Sequence, residues 1–288
     1  MGTTVAGPAA RLQIAQYLMA LQQRAGLRQT EVARRAGCGT TTVARYMDWR
    51  SPARLTVHMV RSIADACGAN AVERDRLAEL VAVQNDGWQL DDPSVPEWMD
   101  PLVSFESVAE HIDAYACTLV PGLLQTPEYA LAMHQASGVD QNEAERRTAA
   151  RIRRQEVLQR DDLHLSVVLA EGALRWVVGG PDVMRAQIDH LMEVRSLPNI
   201  DIRVLPFTAG VPAAGSGGNF VVLRRGGRSD NGPEPFALTV VYLELHARGL
   251  YLDAPPDTDA YRVAFSSLQD QAAGDPASAL DAARKEFQ

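Results

Sequence analysis

The stretch QTEVARRAGCGTTTVARY, residues 29–46, decides how this chain is read. It divides into two short helices around Gly37, Cys38 and Gly39. Counted from Gln29, the fifth place holds Ala33, the ninth Gly37 and the fifteenth Val43. Two helices crossing at roughly 90–120° through a three- or four-residue turn approach too closely for a bulky side chain, which suits Ala33. The turn needs a residue free to take φ > 0, which suits Gly37. Val43 then faces inward with Val32 and Tyr46 and holds the pair together.

Working outward, residues 10–25 carry Leu12, Ala15, Leu18 and Met19 on one stripe, with Gly26 placed to stop the helix. The stretches 29–36 and 40–48 are the second and third helices. Thr56 caps a fourth, which runs through Val57, Val60, Ile63, Ala64 and Cys67 to Gly68. Asn70 with Glu73 three residues on reads as a capping box that opens a fifth, with Leu77, Leu80 and Val81 on its inner face. The expectation is an all-α domain of five helices over residues 1–85.

Set in that frame, residues 29–46 resemble the DNA-binding helix-turn-helix of the phage-repressor-like (XRE) type. The resemblance implies a third helix lying in the major groove with its N-terminal end inward. Gly39, Thr40, Thr41, Ala44 and Arg45 would be its outward positions, with Arg45 able to bridge guanine O6 and N7. Gln29 and Thr30 would bond phosphates and set the register, and Arg34, Arg35, Arg50 and Arg54 would neutralise phosphate charge. The type usually closes its third helix with a glutamate and a glycine, whereas Met47 and Trp49 stand here. That departure leaves open a second reading, a helix-turn-helix that no longer binds DNA.

Charge supports the division of the chain. The net charge of −8 hides a basic front: residues 1–85 hold eleven arginines against six carboxylates, and the remainder 17 basic against 30 acidic residues. A basic module joined to an acidic one suits a DNA reader attached to something that stays off DNA. No apolar run approaches the roughly 18 residues of a membrane span, and the opening MGTTVAGPAARLQ lacks the apolar centre of a signal peptide. Cys38, Cys67 and Cys117 are widely spaced and odd in number, which argues against a disulfide framework or a zinc site. The expectation is a cytoplasmic protein with no metal and no cofactor.

Residues 86–100 are acidic and proline-bearing, and read as a linker whose Trp88 and Trp98 dock on a neighbouring surface. From 101 to 288 the pattern is mixed α+β. Residues 105–116 read as a helix through Phe105, Val108, Ala109, Ile112 and Tyr115. Residues 163–170, 200–204 and 238–244 alternate as strands do, with Arg248 and Gly249 as a turn before a strand over 250–253. Helices are expected over 142–160, 182–195, 258–272 and 276–287. Residues 209–218 and 226–235 read as loops whose glycines match no phosphate-binding pattern.

The segment VPGLLQTPEYA, residues 120–130, supplies a helix start at Thr126, Pro127 and Glu128, but this leaves Gln125 and Tyr129 unexplained. Behind a repressor-like head, PGLLQT.EYA resembles the actinobacterial regulators that carry a C-terminal DUF5753 domain, including the Scr1-like, antitoxin-type group. Later landmarks fit too: RRQEVL from 153, AEGALRW from 170, PNIDIRVLPF from 198 and VVYLE from 240. The resemblance implies a transcriptional regulator, and the expectation is that it binds operator DNA as a homodimer reading two half-sites. It also implies a small partner protein encoded nearby, and names no ligand.

Polar residues inside apolar strands are costly unless partnered, by about 1–3 kcal/mol. Tyr115, Gln125, Tyr129, Glu171, Arg175 and Glu244 therefore form a candidate pocket for a small polar ligand. The competing reading is structural: Glu171 and Glu244 ion-paired to arginines such as Arg175 or Arg203. Six scattered histidines, with no HExxH and no GxSxG, suggest no catalytic residues. The alternatives to a regulator are an enzyme built on a regulator scaffold and an antitoxin-like protein-binding module.

Overall fold

The computed structural model describes residues 7–82 and 99–287, apart from residues 216, 227, 230, 231, 234–236 and 247. Most of the expected linker, including Trp88 and Trp98, lies outside the described residues. The chain separates into two compact units. Among the described residues no helix is long and apolar enough to cross a membrane.

In the N-terminal unit, α1 (Pro8–Arg24), α2 (Gln29–Ala36), α3 (Thr40–Tyr46), α4 (Val57–Ala66) and α5 (Ala71–Ala82) follow the apolar stripes. Leu18, Leu21, Val32, Val43, Ile63 and Leu77 meet in one core. The helix starts obey the expected chemistry. The Thr56 hydroxyl accepts from the Met59 N–H at 3.3 Å. At α5, the Glu73 N–H donates to Asn70 Oδ1 at 2.9 Å while the Asn70 N–H donates to Glu73 Oε2 at 2.7 Å. Glu73 also accepts from the Tyr17 hydroxyl at 2.6 Å and from Arg24, at 2.8 and 3.0 Å, clasping α1 to α5.

A sixth helix, α6 (Asp100–Val108), belongs to this unit although it follows the linker. Leu102, Val103 and Phe105 are buried, and Ser104 Oγ accepts from the Ala9 N–H at 3.1 Å, near the start of α1. The single helix expected over 105–116 is therefore corrected. It breaks after Val108, and His111–Ala116 forms strand β1. This strand is central and buried at five consecutive positions, so it shows no alternation to betray it.

The C-terminal unit is built on a mixed six-stranded sheet. Its strands are β1, β2 (His164–Ala170), β3 (Ile200–Leu205), β4 (Phe220–Arg225), β7 (Leu238–Leu245) and β8 (Arg248–Leu252). Their order is β3-β2-β1-β4-β7-β8, and β5 (Arg228–Ser229) pairs separately with β6 (Gly232–Pro233). Strands β1, β2 and β3 run parallel, with Ile112 opposite Leu165 and Leu165 opposite Ile200. Parallel neighbours need long crossovers, and helices supply them. Between β1 and β2 lie α7 (Pro127–Ala136) and α8 (Gln141–Arg154), and between β2 and β3 lies α9 (Pro181–Val194). Strand β4 is antiparallel to β1, and β8 to β7. On one sheet face Tyr115, Val168, Phe220 and Val241 pack with Phe265 and Leu268 of α10 (Pro255–Gln271). The last helix is α11 (Pro276–Lys285).

Two smaller expectations shift. Arg248 and Gly249 are strand residues opposite Leu245 and Glu244, so the hairpin turns earlier than the glycine suggested. The helix expected over 142–160 ends at Arg154 and tightens into a 3-10 turn, Gln155–Gln159.

Candidate nucleic-acid interface

Helix α2 begins where the Glu31 carboxylate accepts from the Arg28 N–H at 2.9 Å. It ends at Gly37, whose φ of 67° is the left-handed value the turn requires. Gly39 is extended and opens α3. On α3, Val43 and Tyr46 are buried, and the Tyr46 hydroxyl donates to the Arg54 carbonyl at 3.2 Å. The Thr56 N–H donates back to that hydroxyl at 3.2 Å, so the end of α3 is fastened to the start of α4.

The opposite face of α3 is turned to solvent. Gly39, just before the helix, is exposed, as are Thr40, Thr41, Ala44 and Arg45, whose i, i+1, i+4, i+5 spacing shares one side of a helix. Among the described residues neither Arg45 nor Arg34 forms an ion pair or side-chain hydrogen bond. Thr30 is exposed, while Gln29 is half-buried with its amide 4.0 Å from Met47 Sδ. Arg35 turns toward α4, its guanidinium 3.5 Å from the Ala66 carbonyl. Arg50 is exposed and stacks on Trp49, 4.6 Å from the ring centroid.

Met47 and Trp49, the two departures from the usual motif, are core residues at 6% and 8% exposure. Met47 caps α3 and joins the central cluster, and Trp49 meets Phe105 edge-on at 5.5 Å. Neither lies on the outward face of α3. Arg11, which sequence reasoning missed, is buried and donates to the carbonyls of Trp49, Ser51 and Ala53. Burial pulls its pKa down, with Asp48 acting in the other direction. Its signal was an arginine on the apolar stripe of α1.

The six residues expected to line a pocket are spread over β1, the 120–130 segment, the turn that follows β2, and β7. Tyr115 is in the sheet core beside Phe220. Gln125 donates to the Val120 carbonyl at 2.7 Å and accepts from Arg151 at 2.6 Å. The hydroxyl of Tyr129 accepts from the Val120 N–H at 3.4 Å. Glu171 pairs with Arg175 at 2.5 Å and accepts from the Phe207 N–H at 2.7 Å. Burial opposes its charge, but those two donors outweigh it and lower its pKa. Glu244 is exposed near the end of β7, and Arg203 pairs with Asp201 rather than with either glutamate.

These contacts instead explain the 120–130 segment as a structural hub. Gln187 of α9 is fully buried, donates to the Leu124 carbonyl at 2.7 Å and accepts from the Thr126 N–H at 2.8 Å. Gln155 donates to the carbonyls of Gly122 and Gln125, both at 2.8 Å. Sequence reasoning missed Gln187, whose place among Met184, Ile188 and Leu191 on a buried stripe was the available signal.

The tight turn, the buried inner face of α3 and its exposed outer face define a helix-turn-helix protein of the DNA-binding regulator class, coupled to a mixed α+β domain. Residues 13–77 match the family model of a helix-turn-helix domain, and residues 99–281 match that of a domain of unknown function, DUF5753. The chain belongs to the DUF5753 family. No curated protein and no solved structure matches it.

Proposed function

We propose that the chain is a cytoplasmic transcriptional regulator whose α3 reads the major groove of an operator. The observation that carries this reading is the outward face of α3. Thr40, Thr41, Ala44 and Arg45 project together from a helix whose other side is anchored by Val43 and Tyr46. Threonine hydroxyls and methyls suit base edges and thymine methyls, and an arginine suits guanine. Gln29 and Thr30 set the register on phosphates, and Arg50 neutralises phosphate charge. Two heads in a homodimer read half-sites about one helical turn apart, with the 101–288 region dimerising, sensing a ligand or holding a small partner protein. The reading includes no catalytic step. It also places the chain with the XRE-type, Scr1-like antitoxin-type regulators of actinobacteria.

The test is binding of the purified protein to its own upstream DNA across a salt series. Sequence preference with steep loss of affinity in salt supports the reading. Arg45→Ala relaxes the choice of base at one position by about 1–3 kcal/mol, whereas Arg34→Ala weakens all sequences alike. Identical behaviour of the two variants removes the role given to Arg45.

A further inference from the structure

The turns that follow the parallel neighbours β2 and β3 carry large apolar side chains outward. Trp176 and Phe207 are each 65% exposed, Val177 62% and Val211 80%. The two turns lie against each other. Glu171, which opens the 3-10 turn Glu171–Leu174, accepts from the Phe207 N–H at 2.7 Å. Gly172 has no side chain to hold the Phe207 ring off: a Cβ there would stand 3.7 Å from that ring and 3.3 Å from the Cys117 carbonyl. The Trp176 N–H donates to the Gly172 carbonyl at 3.2 Å, so Trp176 belongs to the same turn. Val211 is fixed as well. Its carbonyl accepts from Gln271 of α10 at 3.1 Å, and the Ala213 N–H donates to the Gln271 side chain at 2.7 Å. These apolar groups are therefore presented to solvent from backbone that is bonded in place.

An aromatic side chain brings about 150–250 Å² to a contact. Trp176 and Phe207, with the two valines, make an apolar patch of about 300–600 Å², the range of the largest and often functional surface patches. A standard interface takes roughly 800 Å² from each partner, a little over half of it non-polar, so this patch supplies most of the apolar area one side needs. Its charge narrows the choice of partner. Arg175, whose guanidinium carbon is 6.0 Å from the centre of the Phe207 ring, pairs with Glu171 at 2.5 Å and with Glu286. These flanking charges answer one another within the copy. A charged partner gains little from them, whereas the surface can meet itself without like-charge repulsion. That matters in a region with 17 basic against 30 acidic residues, which repels its own copy wherever the excess is exposed. We propose that Trp176, Val177, Phe207 and Val211 form the face on which a second copy of this chain docks about a twofold axis, the same four residues on both sides. This rests on the homodimer of the reading above and gives it a surface.

The test follows association of the full chain by sedimentation velocity across a dilution series. The wild-type chain should pass from dimer to monomer. Trp176→Ala should raise the dimer dissociation constant by about a hundredfold or more, because an interface hot spot is lost from both sides at once. Trp176→Glu and Phe207→Glu should be monomeric throughout, since each buries an unpaired charge on both sides of the contact. Val72→Glu, at a 78% exposed apolar position of α5, should associate like the wild type. Hydroxyl-radical footprinting of the wild-type chain needs no substitution: Trp176 and Phe207 should be protected at dimer concentrations and reactive on dilution. Folded Trp176→Glu and Phe207→Glu variants that still dimerise overturn the proposal, as does a wild-type dimer in which both rings react as fast as in the monomer. A wild-type chain that stays monomeric at every concentration overturns it too, and so does protection that appears only when a different protein is added. Binding to the upstream duplex judges the DNA-reading function separately. A patch-dependent dimer that ignores DNA leaves this inference standing and defeats that function, whereas sequence-preferring binding by a chain that never dimerises does the reverse.

Discussion

Glu73→Gln is the substitution whose cost can be worked most directly from the geometry. The carboxylate is 7% exposed and accepts from Tyr17, from two nitrogens of Arg24 and from the Asn70 N–H. Hydrogen bonds from Arg24 are the largest influence on it. They outweigh the cost of burial, and with Tyr17 and Asn70 they bring its pKa down to about 2 from the ordinary 4.5. At roughly 1.4 kcal/mol per unit, such a depression corresponds to about 3 kcal/mol. Arg24 is 55% exposed, so solvent screening reduces this to an effective value of about 2 kcal/mol. Because the folded pKa lies below the unfolded one, the contribution is full above about pH 4.5 and is lost as the pH falls toward 2. The amide variant keeps the shape and loses the charge. Urea titration read by hydrogen exchange of α1 and α5 amides should show a loss of about 2 kcal/mol at pH 7 that shrinks steadily by pH 3. Equal stability at pH 7, or a difference that stays constant down to pH 3, would refute the reasoning.

His134 is 8% exposed, and burial first, then Arg151 and Arg147, lower its pKa to about 4. Between about pH 6.5 and 4 the unfolded chain therefore takes up a proton that the folded chain refuses, and stability falls by up to about 2 kcal/mol at pH 5. In thermal melts, His134→Leu should flatten that slope, and an unchanged slope would show that other groups cause it. Gly37→Ala and Gly179→Ala form a pair that separates backbone strain from crowding. Both glycines have positive φ, 67° and 69°, but an added Cβ meets nothing at Gly37 and lies 2.9 Å from the Ala132 Cβ at Gly179. The first should cost about 1–2 kcal/mol and the second clearly more, read as unfolding midpoints. Equal costs would show that the α9 entry yields without strain.

Local chemistry explains what was legible in the sequence. The start of α2, the Thr56 cap, the Asn70–Glu73 box and the left-handed Gly37 each depend on residues within four positions of one another. Strands β2, β3 and β7 were visible because exposed or half-exposed positions interrupt their buried ones. Strand β1 was not, because neighbours on both sides and cover over its faces remove the period and leave a run that a helix pattern also fits. The packing of helix α6 in the N-terminal unit was not legible for a different reason. Its partners, Ala9 and Trp49, stand 95 and 56 residues away from Ser104 and Phe105, and no local rule reaches that far.

The same distinction separates the outward residues of α3 from those expected to line a pocket. A polar side chain within an apolar stretch signals only that a partner is required, and sequence does not say whether that partner is a ligand or the chain itself. Gln125, Tyr129 and Glu171 find theirs in Val120, Arg151, Phe207 and Arg175. A ligand arriving there would have to displace internal hydrogen bonds, each about 1 kcal/mol net and more where a charge takes part. Thr40, Thr41 and Arg45 stand under the opposite condition. They are held by the buried side of α3 rather than by their own polar atoms, so their outward donors and acceptors can meet a base edge at no cost to the fold.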